Sequence, residues 1–334
     1  MLRFVVRRLL LLVPILLGLS ILVFAWIRAL PGGPAEALLG ERATAASIRQ
    51  IEKQYGLDKP IYIQYTSYLS TVVRGDFGAS ITTRRPVVDE VKRRFPATVE
   101  LAVAAGLFSI IFGLPLGFFA AKRYGGVLDH ASLVGSLLGI SIPVFFLGII
   151  LKYIFAVKLG LLPTVGRLSV LINVDHPTNF YVLDAIIAGN VEALWDTIKH
   201  LILPAIALGS IPLAIVARIT RAAVLDVQNE DYVRTARAKG VSPGIVDRRH
   251  VLRNALLPIT TIIGLQVGLL LSGAVLTETV FAFPGMGTLL VDAIDSRDFP
   301  VLQGGILFLA VIFVFVNLIV DLSYAVINPR IRLS

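Results

Sequence analysis

The chain has 334 residues, 56% of them hydrophobic and only 16% charged, with a formal net charge of +9 and a mean hydropathy of +0.82. Soluble domains carry about 25% charged residues, and a soluble core of this length has no room for so much apolar surface, so a bilayer is the natural solvent. There is no cysteine, which excludes disulfide scaffolds, thiol catalysis and cysteine-ligated metals. The positive excess fits cytoplasmic loops that face anionic headgroups, rather than nucleic acid.

Six hydrophobic spans are predicted in chain order. The first runs from about Leu9 to Ile27 behind Arg3, Arg7 and Arg8. It is longer than the ~7–15 apolar residues of a signal peptide, so it reads as a retained helix with its N-terminus inside. The others run from about Thr98 to Ala121, Ala131 to Val157, Leu201 to Ile219, Leu257 to Thr277 and Val301 to Val326. Each is close to the ~20 residues that cross the hydrocarbon core. Small residues one turn apart, Gly113 and Gly117, Gly135 and Gly139, Gly264 and Gly268, predict close helix packing.

Basic residues in the short loops set the orientation. With the N-terminus inside, Lys122, Arg123, Arg234, Arg237, Lys239, Arg248, Arg249, Arg253, Arg330 and Arg332 also fall inside. Both termini are then cytoplasmic and the number of spans is even. The outer segment 28–97 runs against this pattern with eleven basic residues, but it also holds seven acids. It exceeds the ~60-residue range over which the rule operates. The expected architecture is an all-α membrane protein: a first transmembrane helix over 1–28, an extracytoplasmic helical segment over 29–97, and a five-helix core over 98–334 that contains a cytoplasmic loop at 220–257.

Within the outer segment, Pro31-Gly32-Gly33-Pro34 breaks the chain. Ala46–Tyr55 then reads as a short helix ended by Gly56, and Ile61–Val73 as a second one with Ile63, Tyr65, Tyr68, Leu69 and Val72 as its apolar positions. In the loop after span four, polar helical sequence continues to Lys239. Gly240 stops it, Ser242 is positioned as an N-cap, and Pro243 starts a second helix that meets Pro258. The result is a helix–turn–helix elbow tethered at both ends in the bilayer, which argues against DNA binding.

No catalytic constellation is present. The chain lacks Gly-x-x-x-x-Gly-Lys-Ser/Thr, His-Glu-x-x-His and Gly-x-Ser-x-Gly, so neither a P-loop, a zinc-protease site nor a nucleophile elbow is expected. His130, His176, His200 and His250 fall in loops or at span ends without ligand spacing, and no metal or cofactor is expected. Ionisable residues in or near the spans are Glu100, Lys152, Glu278 and Asp321, and burial in hydrocarbon is costly for each. Lys152 can snorkel outward. Glu100 and Glu278 fall near outer span ends. One reading has them line a substrate path or its outer gate; the other makes them bundle-facing structural pairs.

The elbow, Asp231-Tyr-Val-Arg-Thr-Ala-Arg-Ala-Lys-Gly240 followed by Arg249-His-Val-Leu-Arg-Asn-Ala-Leu-Leu-Pro258, resembles the "EAA" loop of permease subunits in bacterial ABC importers. More narrowly, the chain resembles the B-type subunit of the dipeptide/oligopeptide permease family. Arg7-Arg-Leu-Leu-Leu-Leu-Val-Pro14, Leu30-Pro-Gly-Gly-Pro34, Gly56-Leu-Asp-Lys-Pro60, Arg74-Gly-Asp-Phe-Gly78, Ala156-Val-Lys-Leu-Gly-Leu-Leu-Pro163, Glu278-Thr-Val-Phe-Ala-Phe-Pro-Gly285 and Asn328-Pro-Arg-Ile-Arg332 carry the resemblance in order along nearly the whole chain. Arg234 stands where the general EAA pattern has its glutamate and Thr235 at its first alanine; Ala236 remains.

The resemblance implies a second permease subunit as heterodimer partner, two P-loop ATPase subunits, an external substrate-binding protein, a di- or oligopeptide substrate, and ATP hydrolysis outside this chain. It places the chain in a bacterial plasma membrane. The coupling residues it implies are Asp231, Tyr232, Val233, Arg234, Ala236, Arg237, Lys239, Gly240 and Ser242. Tyr232, Val233 and Ala236 would form the buried contact face toward an ATPase, with Arg234, Arg237 and Lys239 as its polar rim. The outer segment 29–97 would meet the binding protein. Nickel and glutathione importers share this permease type. A secondary transporter is the rival, but it predicts internal repeats and midplane charges that are not evident.

Overall fold

The computed structural model describes residues 2–29 and 44–327. The Pro31–Pro34 break, Arg330, Arg332 and the Asn328–Arg332 stretch lie outside the described residues, as does the side chain of Asp321. All regular elements among the described residues are helices: α1 (Leu2–Ala29), α2 (Ala45–Tyr55), α3 (Ile61–Val73), α4 (Val87–Lys122), α5 (Val127–Ser141), α6 (Val144–Leu151), α7 (Tyr181–Ile187), α8 (Val191–Gln228), α9 (Asp231–Ala238), α10 (Pro243–Ile245), α11 (Arg253–Val280), α12 (Met286–Asp295) and α13 (Phe299–Ile327). This is what hydrocarbon demands, because a helix satisfies every backbone group within its own segment. Five helices are long and apolar enough to cross a membrane, or six with a bent pair counted as one span.

That bent pair occupies the predicted third span. Instead of one straight crossing from Ala131 to Val157, α5 and α6 meet at 104°. The cause is Pro143, whose ring disfavours helical geometry at the preceding residue. Ile142 accordingly takes an extended backbone, φ −82° and ψ 122°. After α6 the chain widens into a π-helical stretch, Lys152–Lys158. Prolines 14, 96, 115, 204, 212 and 258 all lie inside long helices without ending them.

The chain divides into two compact units, Met1–Phe95 with Gly285–Phe315, and Pro96–Pro284 with Val316–Ser334. In the first, Val23, Ile27, Val87, Val91, Met286, Leu289, Phe299 and Leu302 form a buried apolar core. Both short helices appear as the sequence predicts. Thr44 and Ser47 form a reciprocal capping box at the start of α2. Gly56 ends it in the left-handed region at φ +66°, and the Leu57 N–H donates to the Glu52 carbonyl at 2.7 Å. Asp298 is buried, accepting from Ser80 Oγ at 2.5 Å and from the Thr82 N–H at 3.2 Å. It thereby holds the 80–86 loop against the start of α13.

In the second unit α8 is the central element, packed by α5, α6, α7 and α11. Its approach to α4 is set by glycine. A Cβ on Gly113 would lie 3.1 Å from the Leu213 carbonyl oxygen, and one on Gly117 would overlap the Ala217 carbonyl and sit 2.7 Å from Thr220 Cβ. On the α8 side, a Cβ on Gly209 would lie 2.7 Å from the Ala105 carbonyl oxygen. Gly139 has ordinary contacts with Ala214, whereas a Cβ on Gly135 would meet nothing within 4 Å. The glycine spacing thus marks a true backbone contact at Gly113 and Gly117 but not at Gly135.

Gly117→Val is expected to force α4 off α8 and to lower the melting temperature of the detergent-purified protein by several degrees or abolish accumulation. Gly135→Ala is expected to leave both unchanged. Differential scanning fluorimetry on the two variants checks this, and equal behaviour would refute the close contact.

Candidate functional site

The elbow between α8 and α11 is built in three pieces. α8 stops at Gln228, eleven residues before the predicted end of the polar helix at Lys239. Glu230 takes an extended conformation, φ −69° and ψ 144°, and α9 starts afresh at Asp231. The break redirects α9 so that Val233 and Ala236, one turn apart, both face inward. They pack in one buried cluster with Ala121 of α4, Ala223 and Val224 of α8, Val246 and Val251 of the second limb, and Ala255 and Ile259 of α11.

Gly240 makes the corner. It has φ +76°, and a Cβ there would meet nothing within 4 Å. Its N–H donates to the Arg237 carbonyl at 3.0 Å, and the Val241 N–H to the Ala236 carbonyl at 3.2 Å. This paired pattern is a Schellman motif, completed by Val241 packing on the cluster that holds Ala236. The glycine is therefore required by backbone conformation, not by space. Pro243 opens the second limb as predicted. Ser242 occupies the N-cap position, but its side chain makes no cap hydrogen bond.

The second limb does not end at Pro258. It widens into a π-helical stretch, Val246–Leu252, and runs without interruption into α11, with Pro258 in the latter's second turn. π-Helical turns recur at functional sites. Here the turn makes the elbow continuous with a membrane helix. Two polar links brace it. Lys122 Nζ at the end of α4 meets Asp247 Oδ1 at 2.8 Å. Asn254 Nδ2 donates to the Tyr232 hydroxyl at 3.0 Å and to the His250 carbonyl at 2.7 Å. At the same end of the unit, Arg221 of α8 pairs through two nitrogens with Asp129 of α5.

This geometry corrects the expected contact face. Val233 and Ala236 are consumed by the chain's own core, so they cannot also pack on a partner. The outward surface consists of Asp231, Tyr232, Arg234, Arg237, Lys239, Gly240 and Ser242, with exposed Ile245, Arg248, Arg249 and Arg253 beside them. Arg234 and Asp231 approach to 3.5 Å, but both are largely exposed and the pair adds little to stability. Val246, Val251 and Ala255 were not singled out by sequence reasoning; their i, i+5, i+9 spacing follows a π turn, not a 3.6-residue period.

Both glutamates have hydrogen-bond partners within this chain. Glu278 is fully buried and accepts from Thr98 Oγ1 at 2.6 Å. Glu100 accepts from Arg167 Nη2 at 2.6 Å and from the Val182 N–H at 2.8 Å. Arg167, buried to 4% exposure, also lies 3.7 Å from the Tyr181 ring centre, whose ring stacks on His176 at 3.6 Å. The 159–190 loop is thereby fastened to α4. Lys152 donates to the Val280 carbonyl at 3.0 Å instead of snorkelling. His200 lies inside α8, buried beside Asp196, rather than at a span end. Among the described residues no group of His, Cys, Asp and Glu is arranged to hold a metal.

Three variants test the elbow. Gly240→Val is expected to cost about 1–2 kcal/mol of local backbone strain and to abolish transport while membrane insertion persists. Gly240→Asn, tolerated at positive φ, is expected to retain most activity. Transport into reconstituted vesicles, with insertion checked by protease protection, distinguishes these outcomes. Val233→Asp buries a lone carboxylate and is expected to unfold the elbow, read as rapid proteolysis between α8 and α11.

The surroundings of this site agree with known proteins. Residues 113–333 match the family described as "Binding-protein-dependent transport system inner membrane component", and residues 1–102 match the description of its N-terminal region. The di/tripeptide transport system permease of Pseudomonas aeruginosa is 49% identical over 333 residues, covering 99% of each chain. The glutathione transport system permease of Escherichia coli K12 is 43% identical over 332 residues, again covering 99% of each. Among solved structures, an inward-facing MetNI methionine ABC transporter matches with a TM-score of 0.54 at 16% identity, over 72% of this chain and 96% of the other, which shows a shared fold. The chain belongs to the family of inner-membrane components of binding-protein-dependent transport systems.

Proposed function

We propose that this chain forms one part of the transmembrane pathway of an ATP-driven importer of di- and oligopeptides in a bacterial plasma membrane. A second permease subunit would complete the pathway. Two P-loop ATPase subunits would supply the hydrolysis, and an external binding protein would select the peptide. The relatives' names support the substrate class: one is a di/tripeptide permease, and another carries glutathione, itself a short peptide.

The observation that carries the reading is the elbow. Its inward residues lock it to α4, α8 and α11, while its outward residues are left for a partner. A tether of that kind transmits a rigid-body displacement instead of absorbing it. An ATPase that closes on Tyr232, Arg234, Arg237 and Lys239 would tilt α8 and α11 together and alternate access to the pathway. The distribution of basic residues in the short loops supports a cytoplasmic position for this surface and for both chain termini.

The test is affinity purification of the tagged chain in mild detergent, followed by ATPase assay with and without peptide-loaded binding protein. Co-purifying P-loop subunits and stimulation of hydrolysis are expected. A chain that purifies alone, without ATPase, would refute the reading. In the assembled complex, replacing Arg234, Arg237 and Lys239 together by Gln is expected to weaken ATPase retention, with a steeper loss at high salt.

A further inference from the structure

The excess of basic residues in segment 28–97 is not absorbed by the transport reading, and the first unit shows where part of it gathers. A cavity of about 720 Å³ is bounded by the end of α1, the turn after α2, α3, the 76–84 loop and the start of α13. Among the described residues, Arg28, Lys53, Lys59 and Arg84 line it against one acid, Asp76. Asp76 is already engaged by the Gly78 N–H at 2.9 Å.

The walls are preformed. Arg84 sits at φ +59°, an unfavourable conformation for a residue with a side chain. It is held there by a tight loop in which its N–H donates to the Ser80 carbonyl, while Ser80 is anchored by buried Asp298. Tyr68 also lines the cavity, and its hydroxyl has no hydrogen-bond partner among the described residues. Burial pushes this phenol up to about 12, so it remains a donor at neutral pH.

The depth of the cavity identifies what can reach it. Arg28 is the penultimate residue of the first span, and Phe299 and Pro300 open the last. The cavity therefore lies level with the headgroups. α3 has 13 residues, about 20 Å long, too short to cross. It nevertheless exposes Ile61, Tyr62 and Val73, at 61%, 67% and 78%. Beside the span ends, these exposed apolar residues offer a surface for acyl chains. We propose that this cavity is a binding site for the phosphate of an anionic phospholipid, held by Lys53, Lys59 and Arg84 with Arg28 behind them, while its tails run along α3. Its placement in the outer leaflet rests on the transport reading; the site itself does not.

The importer is purified in mild detergent, and retained lipid is measured by native mass spectrometry after exchange into phosphatidylcholine carrying a minor share of phosphatidylglycerol. Wild type is expected to hold phosphatidylglycerol preferentially. Each replacement of Lys53, Lys59 or Arg84 by Gln is expected to lower that preference about fivefold. Arg84→Lys, which keeps the charge, is expected to retain most of it, and melting temperatures in pure phosphatidylcholine are expected to match. Unchanged lipid preference in the triple Gln variant overturns the proposal. So does displacement of the lipid by millimolar inorganic phosphate, which marks a free-anion site. Weaker capture of the binding protein with lipid retention intact also overturns it, since the cavity would then dock protein. Absence of ATPase partners refutes the transport reading alone, because lipid retention is still read on this chain.

Discussion

The second unit depends on how closely the backbones of α4 and α8 approach. A Cβ on Gly117 or Gly209 would lie closer to a facing carbonyl oxygen than side chains tolerate, and one on Gly113 would be tight at 3.1 Å. In a bilayer this is the available way to gain packing, because lipid tails remove the hydrophobic incentive for helices to associate. With that contact fixed, α8 becomes a column on which α5, α6, α7 and α11 are assembled. Its ends then carry the polar fastenings, Arg221 to Asp129 at one and the Glu100–Arg167 pair in the layer at the other.

The elbow uses the same economy of groups. Its inward side is made of small and β-branched residues that fill a cluster with the helix ends. Its corner relies on one glycine in the left-handed region, and its second limb on a π turn that merges with α11. The proposed lever requires that no free hinge remain between the outward face of the elbow and the membrane helix. Continuity through Pro258 meets that requirement, since the preceding residues belong to the same helical run.

Buried ionisable groups here serve fastening. Glu100, Glu278, Asp129 and Asp298 each accept from named donors, which is the condition under which a carboxylate is tolerated away from water.

Several features were determined by the sequence by itself. The spans follow from runs of apolar residues, because hydrocarbon leaves the helix as the only open-ended solution. The ends of α2 and α9 follow from Gly56 and Gly240, because only a residue without Cβ enters the left-handed region at little cost. The family follows from motifs in order along the chain. Tertiary structure alone decided the rest. Pro143 bends the third span by 104°, which composition averages away. Val233 and Ala236 look like any apolar pair on a short amphipathic helix. Whether they face a partner or the chain's own core depends on the break at Glu230 and on residues distant in sequence, Ala121 and Val251 among them. In the sequence Glu100 and Glu278 read either as pathway groups or as bundle-facing pairs, and Arg167 and Thr98 beside them are visible only in the fold. Partners separated by 67 and 180 residues leave no periodic signal, because only folding brings them within hydrogen-bond reach.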